Sequence, residues 1–191
     1  MNNRAKQYFL LGEKYFETAK LLLETLINGD NSNAGIGKTQ EEAYDNMNLN
    51  ACKSDLYLFV PAIFNCLQST ELFLKGLLLL NDIDIDDTHE IQTLLEKLPS
   101  KYNEKSDIRK TFKNIYFSQK KILKEYRKTN NITNANDLYI SLRYPESVAG
   151  KQYEYYPLMC NGDEGIKLFK KIYEDIANVK KFILSEYHSM T

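Results

Sequence analysis

Apolar residues in the first part of the chain recur every three or four positions, at Tyr8, Phe9, Leu11, Tyr15, Phe16, Ala19, Leu22, Leu23 and Leu26. That period predicts an amphipathic helix over Asn3 to Ile27. Asn28-Gly29-Asp30 ends it, with Gly29 suited to a left-handed cap. From Asn28 to Asn50 the chain turns polar and rich in Asn and Gly, which predicts a long surface loop with one helical turn near Glu41 to Met47.

The stretch Pro61 to Leu80 is the element around which the rest is expected to pack. Its last turn, Leu77 to Leu80, is apolar on every side and so must be enclosed. The helix is expected to begin between Asp55 and Leu58, with Pro61 in its first turn or, for an earlier start, inside it as a kink. A polar stripe interrupts the apolar coat: Asn65, Gln68, Glu71 and Lys75 fall within roughly 120° of one another on the helix wheel. Glu71 precedes Lys75 by four residues, the favourable order for an ion pair. Two readings stay open, an internal salt bridge or solvated seam, and a groove for a ligand or subunit.

Beyond it, Asp87 and Glu90 form an Asp-x-x-Glu helix start. Ile91, Leu94, Leu95 and Leu98 follow as a short apolar face, stopped by Pro99. A long helix is predicted from Asn103 to Lys128, burying Ile108, Phe112, Ile115, Tyr116, Ile122, Leu123 and Tyr126. Leu138 to Pro145 alternates apolar and polar residues, and Tyr153, Tyr155, Tyr156 and Pro157 follow a Gly150 turn, so an irregular extended hairpin is expected there. The last helix is expected to start at Asn161, capped with Glu164, and to turn Ile166, Phe169, Ile172, Tyr173, Ile176, Val179, Phe182 and Ile183 inward. The predicted fold is all-α: an up-and-down bundle of four long helices and one short one, with an irregular extended loop before the last.

Composition changes this picture little. At 191 residues, 43% hydrophobic and 27% charged, the chain fits one globular domain. With 25 Lys plus Arg against 26 Asp plus Glu, the whole-chain charge gives no reason to expect nucleic acid. Regionally it does: Lys101 to Lys128 carries ten basic residues against three acidic ones. That stretch reads as a solvated helix face or as a phosphate-backbone surface. Neither a secretory leader nor an unbroken apolar run of membrane length is present, so a cytoplasmic protein without membrane insertion is expected. Cys52, Cys66 and Cys160 lack metal-ligand spacing and are expected to be free thiols.

Two motifs fail on inspection. Gly35-Ile36-Gly37-Lys38-Thr39 suggests a phosphate loop, but Ser32 stands where the first Gly is needed, and a helix rather than a strand precedes it. Asp82, Asp84, Asp86 and Asp87 lack the Gly and closing Glu of a calcium loop. No metal or other cofactor is called for.

Two passages give the chain a family resemblance. Ser69-Thr70-Glu71-Leu72-Phe73-Leu74-Lys75-Gly76-Leu77-Leu78, followed by Thr88-His89-Glu90-Ile91 and Leu94-Leu95, resembles the central helix and next helix start of HEPN domains. Tyr139-Ile140-Ser141-Leu142-Arg143-Tyr144-Pro145-Glu146 is similar to the Arg-Tyr-Pro loop before that family's last helix. The resemblance implies a helical bundle that pairs into a homodimer and binds nucleotide or RNA. It also implies a nucleotidyltransferase-type partner in defence or toxin–antitoxin systems.

Many members are metal-independent ribonucleases that carry an Arg, four to six residues, then a His. Here His89 and His188 are the only histidines, and no Arg stands in that window before either. Lys181 ahead of His188 substitutes by charge alone. The expectation is therefore a binding module without catalytic residues, with an atypical ribonuclease toxin and a purely structural dimerisation domain as alternatives. Binding is assigned to Glu71, Lys75, Arg143 and Tyr144. Arg143 offers a fork of donors for phosphate, and Tyr144 a stacking face. Lys120, Lys121, Lys124 and Arg127 form a weaker phosphate surface, and Gln68 and His89 stand beside the site.

Overall fold

The computed structural model describes residues 3–189 except 33, 86–88, 90, 105–109, 111, 113–120, 148 and 161; the side chains of residues 103, 104, 121 and 122 also lie outside the description. Three helices dominate it: α1 (Asn3–Asn28), α3 (Asp55–Leu80) and, at the other end of the chain, α8 (Gly162–Ser189). Between them stand α2 (Gln40–Ala51), α4 (Ile91–Glu96), α5 (Lys101–Glu104), α6 (Lys121–Thr129), α7 (Ala135–Arg143) and a 3₁₀ turn, Tyr156–Leu158. Among the described residues β structure is limited to one antiparallel bridge, Glu146 with Gln152. The fold is an all-α bundle.

α1 buries Ala5, Phe9, Gly12, Phe16, Ala19, Leu23 and Leu26, a strict alternation of four- and three-residue steps that keeps one stripe on α3. α3 is enclosed on all sides from Ser69 to Leu79, as its apolar last turn requires. Its composition and length would suit a membrane span, yet 78% of its most apolar window is buried by the other helices, as in a core helix. The α1–α3 contact is close because each helix offers a glycine to a phenylalanine of the other. A Cβ on Gly12 would lie 2.8 Å from the Phe73 ring, and one on Gly76 only 2.4 Å from Phe9. α1 runs antiparallel to α3 and α8: Phe9 near its start meets Gly76 and Tyr187, near the ends of the other two.

Several boundaries differ from the sequence expectations. The left-handed residues after α1 are Asp30 (φ 53°) and Asn31 (φ 48°), not Gly29. Asn31 is buried, accepts from the Asp55 backbone N–H at 2.6 Å and donates to the Cys160 carbonyl, so it ties the starts of α3 and α8 to the end of α1. The single turn expected near Glu41 to Met47 is a helix of 12 residues. Thr39 caps it by accepting from Glu42 N–H at 3.1 Å, while Glu42 accepts from Lys38 N–H at 2.8 Å. The tempting Gly-Lys-Thr string is thus a helix start in which the Lys38 N–H is met by the Glu42 carboxylate and the Glu42 N–H by the Thr39 hydroxyl. α3 begins at Asp55, so Pro61 lies inside it.

The expected hairpin is mostly helix. α7 occupies Ala135 to Arg143, capped by Asn134, which accepts from Asp137 N–H at 2.8 Å. Its buried residues are Ala135, Leu138, Ser141 and Leu142, a three- and four-residue spacing hidden beneath the apparent alternation. Residues between Glu104 and Lys121 of the long helix expected over 103–128 lie largely outside the description, although Phe112, Leu123 and Tyr126 are buried as expected. The Asp87 and Glu90 helix start and the Asn161 cap also fall outside it. Cys52, Cys66 and Cys160 are free thiols.

Candidate functional site

The polar stripe on α3 is the origin of the site. Each member finds a partner. Asn65 donates to the Pro61 carbonyl at 2.7 Å, the acceptor one turn back. Gln68 accepts at 2.5 Å from the hydroxyl of Tyr139, which α7 lays across the stripe with its ring stacked on Phe64, 5.6 Å between centroids. Lys75 donates to Glu71 Oε1 at 2.9 Å, and the two side chains are only 7% and 3% exposed. The Glu71–Lys75 pair is therefore an internal salt bridge with both side chains buried.

Glu71 has a second neighbour. His89, just ahead of α4, sets Nδ1 2.8 Å from the same Oε1, with its own side chain 65% exposed. An ionised carboxylate only accepts, so the imidazole donates through Nδ1. A buried carboxylate thus fixes the orientation of an exposed imidazole.

Tyr139 links this pair to the end of α7. Burial first, then the Glu71 charge, raises its phenol above the ordinary 10.0, while Arg143 opposes both and Tyr15 adds a small upward push. Arg143, one turn after Tyr139, is exposed and lies 5.1 Å over the ring of Tyr144, itself 48% exposed. The fold brings Gln68, Glu71, Lys75, His89 and Tyr139 into one connected cluster, with Arg143 and Tyr144 at its outer end.

The weaker phosphate surface is less united. Lys124 is exposed on α6. Arg127 is half-buried and donates to the Thr133 carbonyl at 3.3 Å, so it braces the α6–α7 connection. Lys120 and the side chain of Lys121 lie outside the described residues. α6 packs toward the 3₁₀ turn, with Tyr126 stacked on Tyr155 at 5.9 Å. Tyr139 was missed as a site residue by the sequence reading. Only the four-residue step from Tyr139 to Arg143 could have signalled it, once that segment was taken as helix. Among the described residues no cluster of His, Cys, Asp and Glu is arranged to hold a metal ion.

Comparison with known proteins agrees with this geometry at the level of family. No curated protein and no solved structure matches the chain. The HEPN domain family model matches residues 41–178, which takes in α2 to α7 and the first half of α8, including every member of the Glu71 cluster. With well over half its length matched, and with the polar stripe and Arg-Tyr-Pro passage in place on a helical bundle, the chain belongs to the HEPN domain family.

Proposed function

We propose that the chain is a nucleotide- or RNA-binding HEPN module, one cytoplasmic domain that works as a homodimer beside a nucleotidyltransferase-type partner in a defence or toxin–antitoxin setting. Family membership supports the setting and the partner. The binding reading is carried by one observation: an exposed guanidinium stacked on an exposed tyrosine at the outer end of a buried polar cluster. Such a pair offers a planar fork for phosphate and a ring for a base. Glu71, paired with Lys75, serves this surface from beneath by holding His89, and Gln68 does so by holding Tyr139. Equilibrium titration with fluorescent single-stranded RNA and with ATP tests it. Submillimolar binding of at least one, weakened at least tenfold by Arg143→Ala and by Tyr144→Ala, is the expected result. Affinities weaker than millimolar for both ligands, unchanged by Arg143→Ala, would overturn it.

The Glu71–His89 pair favours a second reading, an atypical metal-independent ribonuclease. An imidazole oriented by a carboxylate can take the proton of a ribose 2′-hydroxyl as its oxygen attacks the adjacent phosphorus. The 5′-oxygen of the next nucleotide then leaves with a proton from a general acid, and a cation such as Arg143 stabilises the charge. RNA cleavage that survives chelator and disappears in His89→Ala would support this. Normal growth of a bacterial host under strong expression counts heavily against it. The structural-domain alternative, with the polar stripe itself as subunit seam, fits less well, because Glu71 and Lys75 are already sealed inside one chain.

A further inference from the structure

α2 is a helix that the core does not explain. Of its 12 residues only Ala51 is buried, while Tyr44, Met47 and Leu49 are exposed. An isolated helix of that length is marginal in water. Its main contacts come from the segment just ahead, residues 34–38, which folds back along it as a strap. Asn50 donates to the Ala34 carbonyl at 2.7 Å, Asn46 donates to the Ile36 carbonyl at 2.8 Å, and Glu42 accepts from Lys38 N–H at 2.8 Å. Side chains at four-residue spacing thus hold every second residue of the strap, in antiparallel order. Gly35 and Gly37 lie flat on the helix, since a Cβ on them would stand 2.0 Å and 2.4 Å from the backbone of Ala43. Ile36 between them points outward, 87% exposed.

This alternation is that of an extended strand. Ala34 and Ile36 carbonyls and the Lys38 N–H turn toward Glu42, Asn46 and Asn50, so the N–H and C=O of Gly35 and Gly37 point to the opposite edge. Among the described residues no hydrogen bond reaches those four groups. At 100° per residue, Glu42, Asn46 and Asn50 lie about 100°, 140° and 180° from Glu41, and Met47 and Tyr44 about 240° and 300°. The open edge of the strap therefore runs beside Met47 and Tyr44, both exposed. Native strand edges are blunted by Pro, a bulge or a charge, and Ala34-Gly35-Ile36-Gly37 carries no Pro and no charge.

We infer that the strap and α2 form a docking edge for an extended, basic segment of a second protein. That segment adds as a strand to Gly35 and Gly37 and lays alternate apolar side chains over Met47 and Tyr44. Main-chain groups in this pattern are completed by a strand and not by a helix. Charge sets the composition of the occupant, because α2 carries Glu41, Glu42 and Asp45 and no base. The strap precedes residues 41–178, so family likeness does not account for it. The inference does not rest on nucleotide or RNA binding at Arg143 and Tyr144.

The test pans a phage-displayed library of random peptides against the full chain, with Gly37→Ala, whose Cβ lifts the strap, as the counter-screen. Selected peptides should carry Lys or Arg among alternating apolar residues and bind Gly37→Ala at least tenfold more weakly, with its thermal melt unchanged because the strap covers no core. N-methylation of alternate residues removes main-chain donors and keeps the side chains, so it should abolish binding in one frame and spare it in the other. In the unsubstituted chain, the Gly35 and Gly37 amides should exchange quickly with deuterium and become protected when a selected peptide is bound. Selection of acidic peptides, no enrichment over the counter-screen, or tolerance of N-methylation in both frames would overturn the inference. So would Gly35 and Gly37 amides already protected without peptide; if that protection grows with protein concentration, the edge belongs to a second copy instead.

Discussion

The most direct probe of the site is Lys75→Met. Glu71 and Lys75 are 3% and 7% exposed and 2.9 Å apart, so the substitution leaves a carboxylate in the interior without its ammonium. Removing one member of a buried ion pair costs about 3–5 kcal/mol, most of it the penalty of the charge left behind. His89 still donates to Glu71, and its exposure lets it keep water as a second partner, so the lower end, about 3 kcal/mol, is expected. For a chain of this size each kcal/mol moves Tm by about 2–4 °C, giving a fall of roughly 6–12 °C. Glu71→Leu with Lys75→Met removes both charges and fills similar volume. That double variant should return to within about 1 kcal/mol of the parent. Urea denaturation of the parent, both single variants and the double variant closes the cycle and gives the coupling energy directly. A loss below about 1 kcal/mol for Lys75→Met, or a double variant as unstable as the sum of the singles, would show water reaching Glu71. His89 would then not be oriented by a buried carboxylate.

Two further outcomes are expected. Gly76→Ala should lower Tm, although an alanine in mid-helix ordinarily gains about 1 kcal/mol, because its Cβ would come 2.4 Å from a Phe9 ring already held by Tyr187 at 5.7 Å. Overpacking of that kind costs about 1–3 kcal/mol, and a rise in Tm on a differential scan would show that Phe9 has room to move. Stability should also fall as pH rises above about 9. Burial pushes the Cys66 thiol from 9.0 to about 12, and burial, opposed by the Asn81 hydrogen bond and aided by Glu186, pushes the Tyr102 phenol from 10.0 to about 12. The folded state therefore keeps protons that the unfolded chain releases, and each such group removes up to about 1.4 kcal/mol per pH unit between its unfolded and folded values. Urea midpoints at rising pH check this, and a flat profile to pH values near 11 would refute it.

The pattern of apolar and polar positions by itself determined the long helices. α1, α3 and α8 were legible because burial on one stripe, or on every side, leaves a repeat that no local choice can imitate. The same reading rejected Gly35 to Thr39 as a phosphate loop, and the Thr39–Glu42 cap shows what that string does instead. It misread α7, since Leu138, Ile140 and Leu142 fit a two-residue alternation as well as a helix. Only packing against α3, which buries Leu138, Ser141 and Leu142 together, decides between the two.

The stripe of Asn65, Gln68, Glu71 and Lys75 was visible as a stripe. Its partners were not. Glu71 meets His89 from another segment, and Gln68 meets Tyr139 from one much further along the chain, so both contacts depend on where α4 and α7 dock. The glycine–phenylalanine exchange between α1 and α3 was equally hidden, because a glycine in a helix announces close approach without naming what approaches. Periodicity records which side of an element must be covered; which group covers it is settled when the elements meet.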